Sequence, residues 1–384
     1  MRSGGDLANI RTDVVGSLLR PAAVCEARVA FDDGRLSLEA LRAIEDEAVQ
    51  DAVRLQEDLG LDVVTDGEMR RLNFQDSFGA SVAGYDTERS TLKVYEQRIE
   101  GAAPGQRWDI PTMSHAGTAV AHRRPAKARL TLQHNVPLDE YLFVREVASK
   151  PAKVSLIGPD RISQRFAYES STAVYRDMDA FLSDVVAIER QIVTSLVGAG
   201  CRYIHIDAPG FTAYVDEPSL QQMRARGEDP EQNLARSLEA EAAVIADYPD
   251  IVFGVHLCRG NQRSMWHREG TYDAIAERMF NELPHQRFLL EYDSPRAGSF
   301  EALRFVPKGR VVVLGLVSSK VPELESVDEL KRRIDEASRF LPLEQLAISP
   351  QCGFASDVIG NLLGADDQKR KLERVVEVAR QVWG

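Results

Sequence analysis

The chain has 384 residues, of which 44% are hydrophobic and 28% charged, and its formal net charge at pH 7 is −12. This composition is typical of a globular protein with a large core and excludes a disordered chain, and the acidic charge disfavours nucleic acid as a partner. No apolar run is long enough to span a bilayer and the N-terminus lacks an apolar signal core, so we expect a cytoplasmic protein without a membrane partner. The sequence leaves open whether the protein forms a homo-oligomer.

Short apolar runs rich in Val, Ile and Leu recur along the chain, as expected of strands buried on both faces. They lie at 12–17, 61–65, 153–157, 202–207, 251–257, 287–291, 310–316 and 345–349. Amphipathic helical patterns separate most of them, near 38–60, 179–200, 232–247, 271–282, 325–340 and 366–382. Strands that alternate with helices pair in parallel through crossovers, so eight such units predict an α/β protein with a (β/α)8 TIM barrel. We expect residues 1–384 to form a single domain.

Residues 80–150 break this alternation, because they contain Gly, Pro and His with little helical period. Within them, RLTLQ (129–133) and YLFVRE (141–146) resemble short strands. We therefore expect an insertion between the second and third barrel strands, in the form of an antiparallel hairpin or loop region that covers the mouth of the barrel. A small separate domain is the alternative.

Polar side chains follow the first, second and fourth apolar runs. VVGSLLRP contains Ser17, TDGEMRR contains Asp66 and Glu68, and HIDAP contains Asp207. Carboxylates at a barrel mouth can hold the ammonium group of an amino acid, and a Ser hydroxyl with adjacent N–H groups can hold its carboxylate. Asp66, which precedes a glycine, has a turn cap as its alternative role. We expect His205, deeper on the strand of Asp207, to be a packed or hydrogen-bonded core residue.

The fifth run ends in VHLCRGN, where His256 and Cys258 are two residues apart and so share one face of a strand. Both would lie at the carboxyl end of that strand, where barrel enzymes carry their active sites. Imidazole and thiolate are both zinc ligands. The alternative is a buried His beside a small hydrophobic Cys.

Two later runs end in further candidate ligands. Glu291 closes the sixth run, and Cys352 follows the eighth in SPQCGFAS. A carboxylate at the end of a buried strand needs a metal or a cation to offset its desolvation, so the alternative for Glu291 is an ion pair with an arginine. The candidate arginines for that pair are Arg259, Arg263 and Arg296. A buried structural role is the alternative for Cys352.

Together, His256, Cys258, Glu291 and Cys352 predict one metal site, because the fifth, sixth and eighth strands of a barrel converge at its mouth. Two thiolates, an imidazole and a carboxylate suit Zn²⁺ better than Mg²⁺ or Ca²⁺. Ligands dispersed along the chain, without close C-x-x-C pairs, indicate a catalytic site. The other cysteines, Cys25 and Cys201, are read as structural free thiols without disulfides.

Seven motifs, in this order, resemble the cobalamin-independent methionine synthase family, and above all its short single-barrel, methionine-synthase-like bacterial methyltransferases. The motifs are VVGSLLRP, TDGEMRR, HIDAP, GVHLCRGN, LLEYDSPRAGSF, VLGLVSSK and SPQCGFAS, and the resemblance runs from about residue 11 to the C-terminus. It implies a (β/α)8 barrel with catalytic zinc on His256, Cys258, Glu291 and Cys352.

The resemblance also implies roles for the polar groups at the mouth. Homocysteine would be held by Ser17 with the backbone of Val15, Gly16 and Ser17, and by Glu68 and Asp207, whose carboxylates bind its amino group during catalysis. The chain departs from the family in two ways. It has no room for the second, N-terminal barrel of the full-length synthases, and the stretch that holds the family's proton-donating His reads LGLVSSK here, with Ser318 and Ser319.

The expected reaction is zinc-dependent transfer of a methyl group to a thiol, with homocysteine as acceptor and methionine as product. The donor is left open between a folate, a methylcorrinoid and a simpler methyl compound. Alkyl transfer to or from another small thiol, by epoxide opening or demethylation, is the first alternative. A zinc hydrolase and a non-enzymatic binder of zinc or homocysteine are the others.

Overall fold

In a computed structural model, residues 7–86, 91–95, 107–108, 119–358 and 360–384 are described. Their centre is a parallel sheet of six strands, each of which begins and ends within one residue of a predicted run. In spatial order the strands are Lys153–Ile157, Tyr203–Asp207, Val252–Leu257, Arg287–Glu291, Val311–Val317 and Leu346–Pro350.

The first two predicted runs complete the barrel without forming long strands. Thr12 pairs in parallel with Ile348 on one edge of the sheet, and Val64 pairs in parallel with Ala152 on the other. Only one residue of each run makes a ladder pairing, and side chains accept several of the other backbone N–H groups. Asp62 Oδ2, for example, accepts the N–H group of Thr12 at 2.9 Å.

These two segments also contact each other, which joins the edges of the sheet. Leu18 N donates to the carbonyl of Gly67 at 3.0 Å, and the Thr65 hydroxyl donates to the carbonyl of Gly16 at 2.7 Å. Eight parallel segments therefore surround one interior, and the predicted (β/α)8 barrel is confirmed.

Helices follow the barrel segments as the periodicity predicts. The helix Leu38–Leu59 begins where the Ser37 side chain accepts the N–H group of Ala40, and it ends at Gly60 in the left-handed region, with φ at 87°. None of the helices in the described parts of the chain has the length and apolar character that a membrane crossing requires. The α-helices are Ala22–Asp32, Leu38–Leu59, Asp76–Ser81, Val136–Val147, Pro159–Gln164, Met178–Gly198, Glu217–Ala225, Pro230–Ile245, Asp273–Glu282, Val327–Ser338 and Ala365–Trp383.

Three antiparallel pairings lie between the second and third barrel segments or reach from there. Val82–Tyr85 pairs with Ala126–Leu132, and Thr91–Tyr95 pairs with Ala119–Arg123. The two-residue strand Arg107–Trp108 pairs with Met265–Trp266, which follows the fifth barrel strand. Backbone from the inserted segment therefore touches a loop at the mouth of the barrel.

One predicted strand in this segment is wrong. YLFVRE (141–146) lies inside the helix Val136–Val147 and is not extended. The helix begins at Asn135, whose side chain accepts the N–H group of Leu138 at 3.0 Å, and Pro137 occupies its first turn. This local start signal outweighs the strand preference of the aromatic and β-branched residues that follow.

Alternation within each strand assigns alternate side chains to the barrel interior. In the fourth strand, Ile204 and Ile206 pack in the outer core beneath the helices, whereas Tyr203, His205 and Asp207 point inward and are buried. The interior is therefore lined by polar side chains at both ends, and an apolar layer that includes Val15 lies between them.

Candidate metal centre and substrate cavity

A cavity of about 580 Å³ opens at the carboxyl ends of the barrel strands, within the size range of small-molecule sites. Its wall contains many polar side chains and comes from the segments that follow the first, second, third, fourth, fifth and eighth strands of the barrel. Among the predicted site residues, Gly16 and Glu291 do not line it. Those that do are Val15, Ser17, Glu68, Asp207, His256, Cys258 and Cys352.

Three of the predicted metal ligands meet at the base of this cavity. The ligand atoms of His256, Cys258 and Cys352 all lie within 4.8 Å of one another, and all three side chains are buried. No other group of three or more His, Cys, Asp or Glu side chains in the described residues reaches this proximity. Soft sulfur and imidazole ligands in such a cluster suit zinc.

The orientation of His256 also fits a metal ligand. Its Nδ1 lies 3.2 Å from the carbonyl oxygen of Leu289, which can only accept, so Nδ1 carries the proton. Its Nε2 is buried and has no nitrogen or oxygen partner among the described residues. A backbone hydrogen bond that fixes the tautomer and leaves the other ring nitrogen available is the usual arrangement of a metal-binding His.

The two thiols of this group differ in acidity. A hydrogen bond with Cys352 lowers the pKa of Cys258 well below its usual range; burial opposes this shift, and the nearby His256 adds to it. The same hydrogen bond raises the pKa of Cys352 well above its usual range, and burial raises it further. Cys258 is therefore the more acidic of the two thiols, and the thiolate is the form that binds a metal.

Glu291 is buried next to this group but is engaged elsewhere. Its Oε1 accepts from Arg296 Nε at 2.7 Å, and its Oε2 accepts from the backbone N–H group of Arg259 at 2.6 Å. Burial raises the pKa of Glu291, but Lys320, Arg296 and Arg259 lower it by more, to about 2, so the group is a carboxylate. The ion pair between Glu291 and Arg296, which the sequence allowed as an alternative to metal binding, is thus present.

Glu68 projects into the cavity from a backbone in the left-handed region, with φ at 55°. Its Oε1 accepts from the Ser155 hydroxyl at 2.8 Å, and its Oε2 is buried without a partner among the residues described. Burial raises its pKa to about 7, against the effect of Arg71. Strained backbone and an unsatisfied carboxylate oxygen in one residue are typical of a functional site.

Asp207 is held as an anion beside the group of His256, Cys258 and Cys352. His205 Nε2 lies 3.0 Å from its Oδ1, and burial lowers the pKa of His205 to about 4, so a neutral imidazole donates to a carboxylate. Burial raises the pKa of Asp207, but His205 and His256 more than offset this, and the net shift is downward. His205 is therefore buried and hydrogen-bonded, as the sequence predicted.

Two glycines allow the first and last loops of the barrel to approach each other and the cavity. A Cβ atom on Gly353 would lie 2.0 Å from the Ser17 hydroxyl oxygen, which accepts the N–H group of Ala355 at 3.3 Å. A Cβ atom on Gly16 would lie 2.7 Å from Glu68 Oε1. A larger residue at either position would displace a group of the site.

Sequence reasoning missed the side chains that hold Glu68 in place. Arg71 donates to Ser155 Oγ at 3.1 Å and pairs with Glu140 at 2.6 Å, and all three are buried. The signal for Ser155 was a polar residue in the middle of the otherwise apolar run that begins at Lys153. Glu140 had no such signal, because it comes from a helix inside the insertion.

Comparison with known proteins agrees with this geometry. The family model of the cobalamin-independent synthase catalytic domain matches residues 10–131 and 128–381. The Bacillus subtilis protein YxjH, which is uncharacterised, is 35% identical over 98% of this chain and 95% of its own length. A methionine synthase of Pyrococcus abyssi is 26% identical over 98% of this chain and 95% of its own. The structure of a candidate vitamin-B12-independent methionine synthase from Listeria monocytogenes superposes with a TM-score of 0.71 at 25% identity, over 97% of both chains.

Proposed function

The chain belongs to the cobalamin-independent synthase family, and on that premise we propose that it is a zinc-dependent methyltransferase that methylates homocysteine to methionine. The observation that carries the proposal is the buried group of His256, Cys258 and Cys352 in a cavity that also contains Glu68 and Asp207. A thiol-activating metal and an ammonium-binding pair of carboxylates are the two requirements of an amino-acid thiol acceptor.

The three clustered side chains would hold the zinc ion, with Glu291 as the fourth protein ligand. Bound zinc lowers the pKa of a coordinating thiol, so that the sulfur is an anion at neutral pH. Two thiolate ligands keep such a centre electron-rich, which favours a nucleophilic bound sulfur over activation of a water molecule for hydrolysis. In the transfer, the sulfur forms a bond to the methyl carbon while the bond from that carbon to the donor breaks, and the donor keeps the electron pair.

The acidic wall of the cavity would orient the amino acid. Asp207 is anionic and Glu68 has an unsatisfied oxygen, so together they suit the ammonium group of homocysteine. The hydroxyl of Ser17 and the backbone of Val15, Gly16 and Ser17 would bind its carboxylate. This pairing favours an amino-acid thiol over a sulfonated one, which would need basic residues at the positions of Glu68 and Asp207.

The methyl donor would occupy the rest of the same cavity. Arg161, Arg165 and Arg268 are part of its lining. Their charges favour a donor with an anionic group, such as a folate, over a neutral methyl compound. The enzyme's task for both substrates is alignment of the sulfur with the methyl carbon.

The deciding experiment is the zinc content and zinc-edge X-ray absorption of the purified protein, with and without homocysteine, in the wild type and in Cys352→Ser. We expect one zinc per chain, an additional sulfur neighbour when homocysteine binds, and methyl transfer lowered by more than ~100-fold in the variant, beyond the usual effect of an outer-shell change. Cys25→Ser, at a half-buried thiol outside the cavity, is the matched control and should keep its zinc. The proposal would be contradicted if the wild type contained no zinc, or if the coordination shell of the zinc did not change when homocysteine was added.

A further inference from the structure

Glu291 closes the sixth barrel strand, yet its carboxylate is not part of the group formed by His256, Cys258 and Cys352. Both of its oxygens are already hydrogen-bonded, one to Arg296 and one to the backbone of Arg259. A carboxylate has about four lone-pair positions, so these two contacts do not abolish its capacity as a ligand. They do set its orientation, and a metal would have to compete with them.

Arg296 is itself held in place by three further contacts. Its Nη2 donates to Asp293 Oδ1 at 2.8 Å, and its carbonyl accepts the N–H group of Gly270 at 3.1 Å. Its guanidinium also lies over the ring of Trp266, 5.3 Å from the centroid, within cation–π range. The side chain of Arg296 is almost fully buried, so it is a fixed part of the site and not a surface charge.

Trp266 belongs to the short strand that pairs with backbone of the inserted segment, where Arg107 is opposite Trp266 and Trp108 is opposite Met265. Met265 in turn lines the cavity. A continuous series of contacts thus runs from the insertion, through Trp266 and Arg296, to the carboxylate of Glu291.

We infer that Arg296 is a positioning residue that competes with the metal for the Glu291 carboxylate, and that Trp266 holds it in that position. The inference rests on the proposed zinc site and deepens it. Three ligands would bind the metal firmly, and the fourth position would be shared between Glu291 and the incoming sulfur. Arg296 keeps the carboxylate partly withdrawn, so the thiol meets a position that is open to it.

The surrounding charges agree with this role. Lys320 is fully buried near Glu291, and its Nζ has no hydrogen-bond partner in the described parts of the chain. Together with Arg296, it provides the positive charge that opposes the carboxylates of Glu291 and Asp293. Without Arg296, Glu291 would lose its direct cationic partner, and a buried carboxylate in that position would turn to the metal.

The test is the zinc affinity of the full chain, measured by competition with a fluorescent chelator after metal removal, in Arg296→Met and Trp266→Leu. We expect Arg296→Met to bind zinc about tenfold more tightly, in line with changes at outer-shell partners. Trp266→Leu should tighten zinc binding about two- to fivefold, because Arg296 loses its cation–π contact but keeps its ion pair with Glu291. Arg304→Met is the matched control, since Arg304 also lies over an aromatic ring and pairs with an Asp, but on the surface.

Glu291→Gln, alone and combined with Arg296→Met, tests whether the tighter zinc binding depends on the Glu291 carboxylate. If Arg296 acts through the Glu291 carboxylate, the double variant should bind zinc as Glu291→Gln does, and the tightening should vanish. X-ray absorption of Arg296→Met with homocysteine should retain an oxygen neighbour that the wild type loses.

Unchanged or weaker zinc binding in Arg296→Met, in a protein whose wild type loses zinc on Cys352→Ser, overturns this inference and leaves the proposed function intact. A wild type that binds no zinc overturns both. If Arg296→Met does not fold, Trp266→Leu decides, and an affinity equal to the wild type counts against the inference.

Discussion

The two ends of the barrel interior use equivalent inward-facing positions but treat their charges differently. At the N-terminal end, Asp13 accepts from Lys153 at 2.7 Å, from the Tyr203 hydroxyl at 2.7 Å and from Arg287 at 3.2 Å. At the C-terminal end, His256 Nε2 and Glu68 Oε2 are buried, and neither has a nitrogen or oxygen partner among the residues that the structure describes.

The difference separates stability from function. Charged groups that are paired with one another inside the barrel stabilise its closed form, and their hydrogen-bonding capacity is already used within the chain. In the cavity wall, His256 Nε2 and Glu68 Oε2 have no nitrogen or oxygen partner among the described residues, and a ligand or metal bound there would offset the cost of their desolvation. The predictions that follow test this contrast, from the largest expected effect to the smallest.

The largest effect is expected at the paired end, for Asp13→Asn. The change leaves Lys153 and Arg287 buried without their shared anion, so the free energy of unfolding should fall by about 3–5 kcal/mol. Urea denaturation measures this, and zinc affinity should be unchanged wherever the variant is folded. Asp33→Asn, in an exposed pair with Arg35, is the control and should cost less than about 1 kcal/mol. If Asp13→Asn lowered the free energy of unfolding by less than about 1 kcal/mol, the proposed contrast between the two ends of the barrel would be wrong.

At the C-terminal end of the barrel, Glu68→Gln should impair substrate binding and not stability, the reverse of Asp13→Asn. Hydrogen bonds to charged groups contribute about 1.5–3 kcal/mol, so the KM for homocysteine should rise about 10- to 100-fold while stability does not fall. Steady-state kinetics and urea denaturation on the same samples separate the two. Glu45→Gln is the control, because Glu45 is buried in an ion pair with Arg28 and does not line the cavity; it should lower stability and leave KM unchanged.

The pH dependence of the two ends should also differ in sign. The folded-state pKa of Asp13 is lowered to about 2, because Lys153 and Arg287 outweigh burial, so its stabilisation is lost as pH falls below the ordinary Asp value. The pKa of Glu68 is raised to about 7, chiefly by burial, so its ionisation costs stability as pH rises from the ordinary Glu value toward 7.

The pH dependence of ligand binding measures the ionisation of Glu68 directly. L-Methionine carries the ammonium group without a titrating thiol, and its affinity, measured by calorimetry, should rise about tenfold between pH 6 and 8 as Glu68 ionises. Glu68→Gln should show no such rise. An equal rise in both proteins would assign the titration to another group.

The smallest effect is expected for Ser155→Ala, which removes the hydroxyl that donates to Glu68 Oε1. A single hydrogen bond contributes about 0.5–1.5 kcal/mol, so the KM for homocysteine should rise about fivefold. In the Glu68→Gln background the same change should have less effect, since the two residues act together. Full additivity of the two changes would show that Ser155 acts elsewhere.

Much of the fold was readable from the sequence because its signals are local. Six of the eight predicted strands are present within one residue, and the helix Leu38–Leu59 begins and ends at the cap residues that its sequence contains. The predictions failed or weakened where local signals competed. YLFVRE combined strand-forming residues with a helix start just before it, and the first two runs gave up their ladder bonds to side chains such as Asp62.

The sequence by itself determined the barrel and the chemistry available at its mouth, because alternation and helical period are written in neighbouring residues and an imidazole or a thiol is the same in any fold. Only the tertiary structure decided which groups meet. It brings Cys352 to His256 and Cys258 from about a hundred residues away, and it turns Glu291 toward Arg296. These choices depend on distances between strands that are far apart in sequence, and on competition for one carboxylate among buried cations, neither of which a local pattern records.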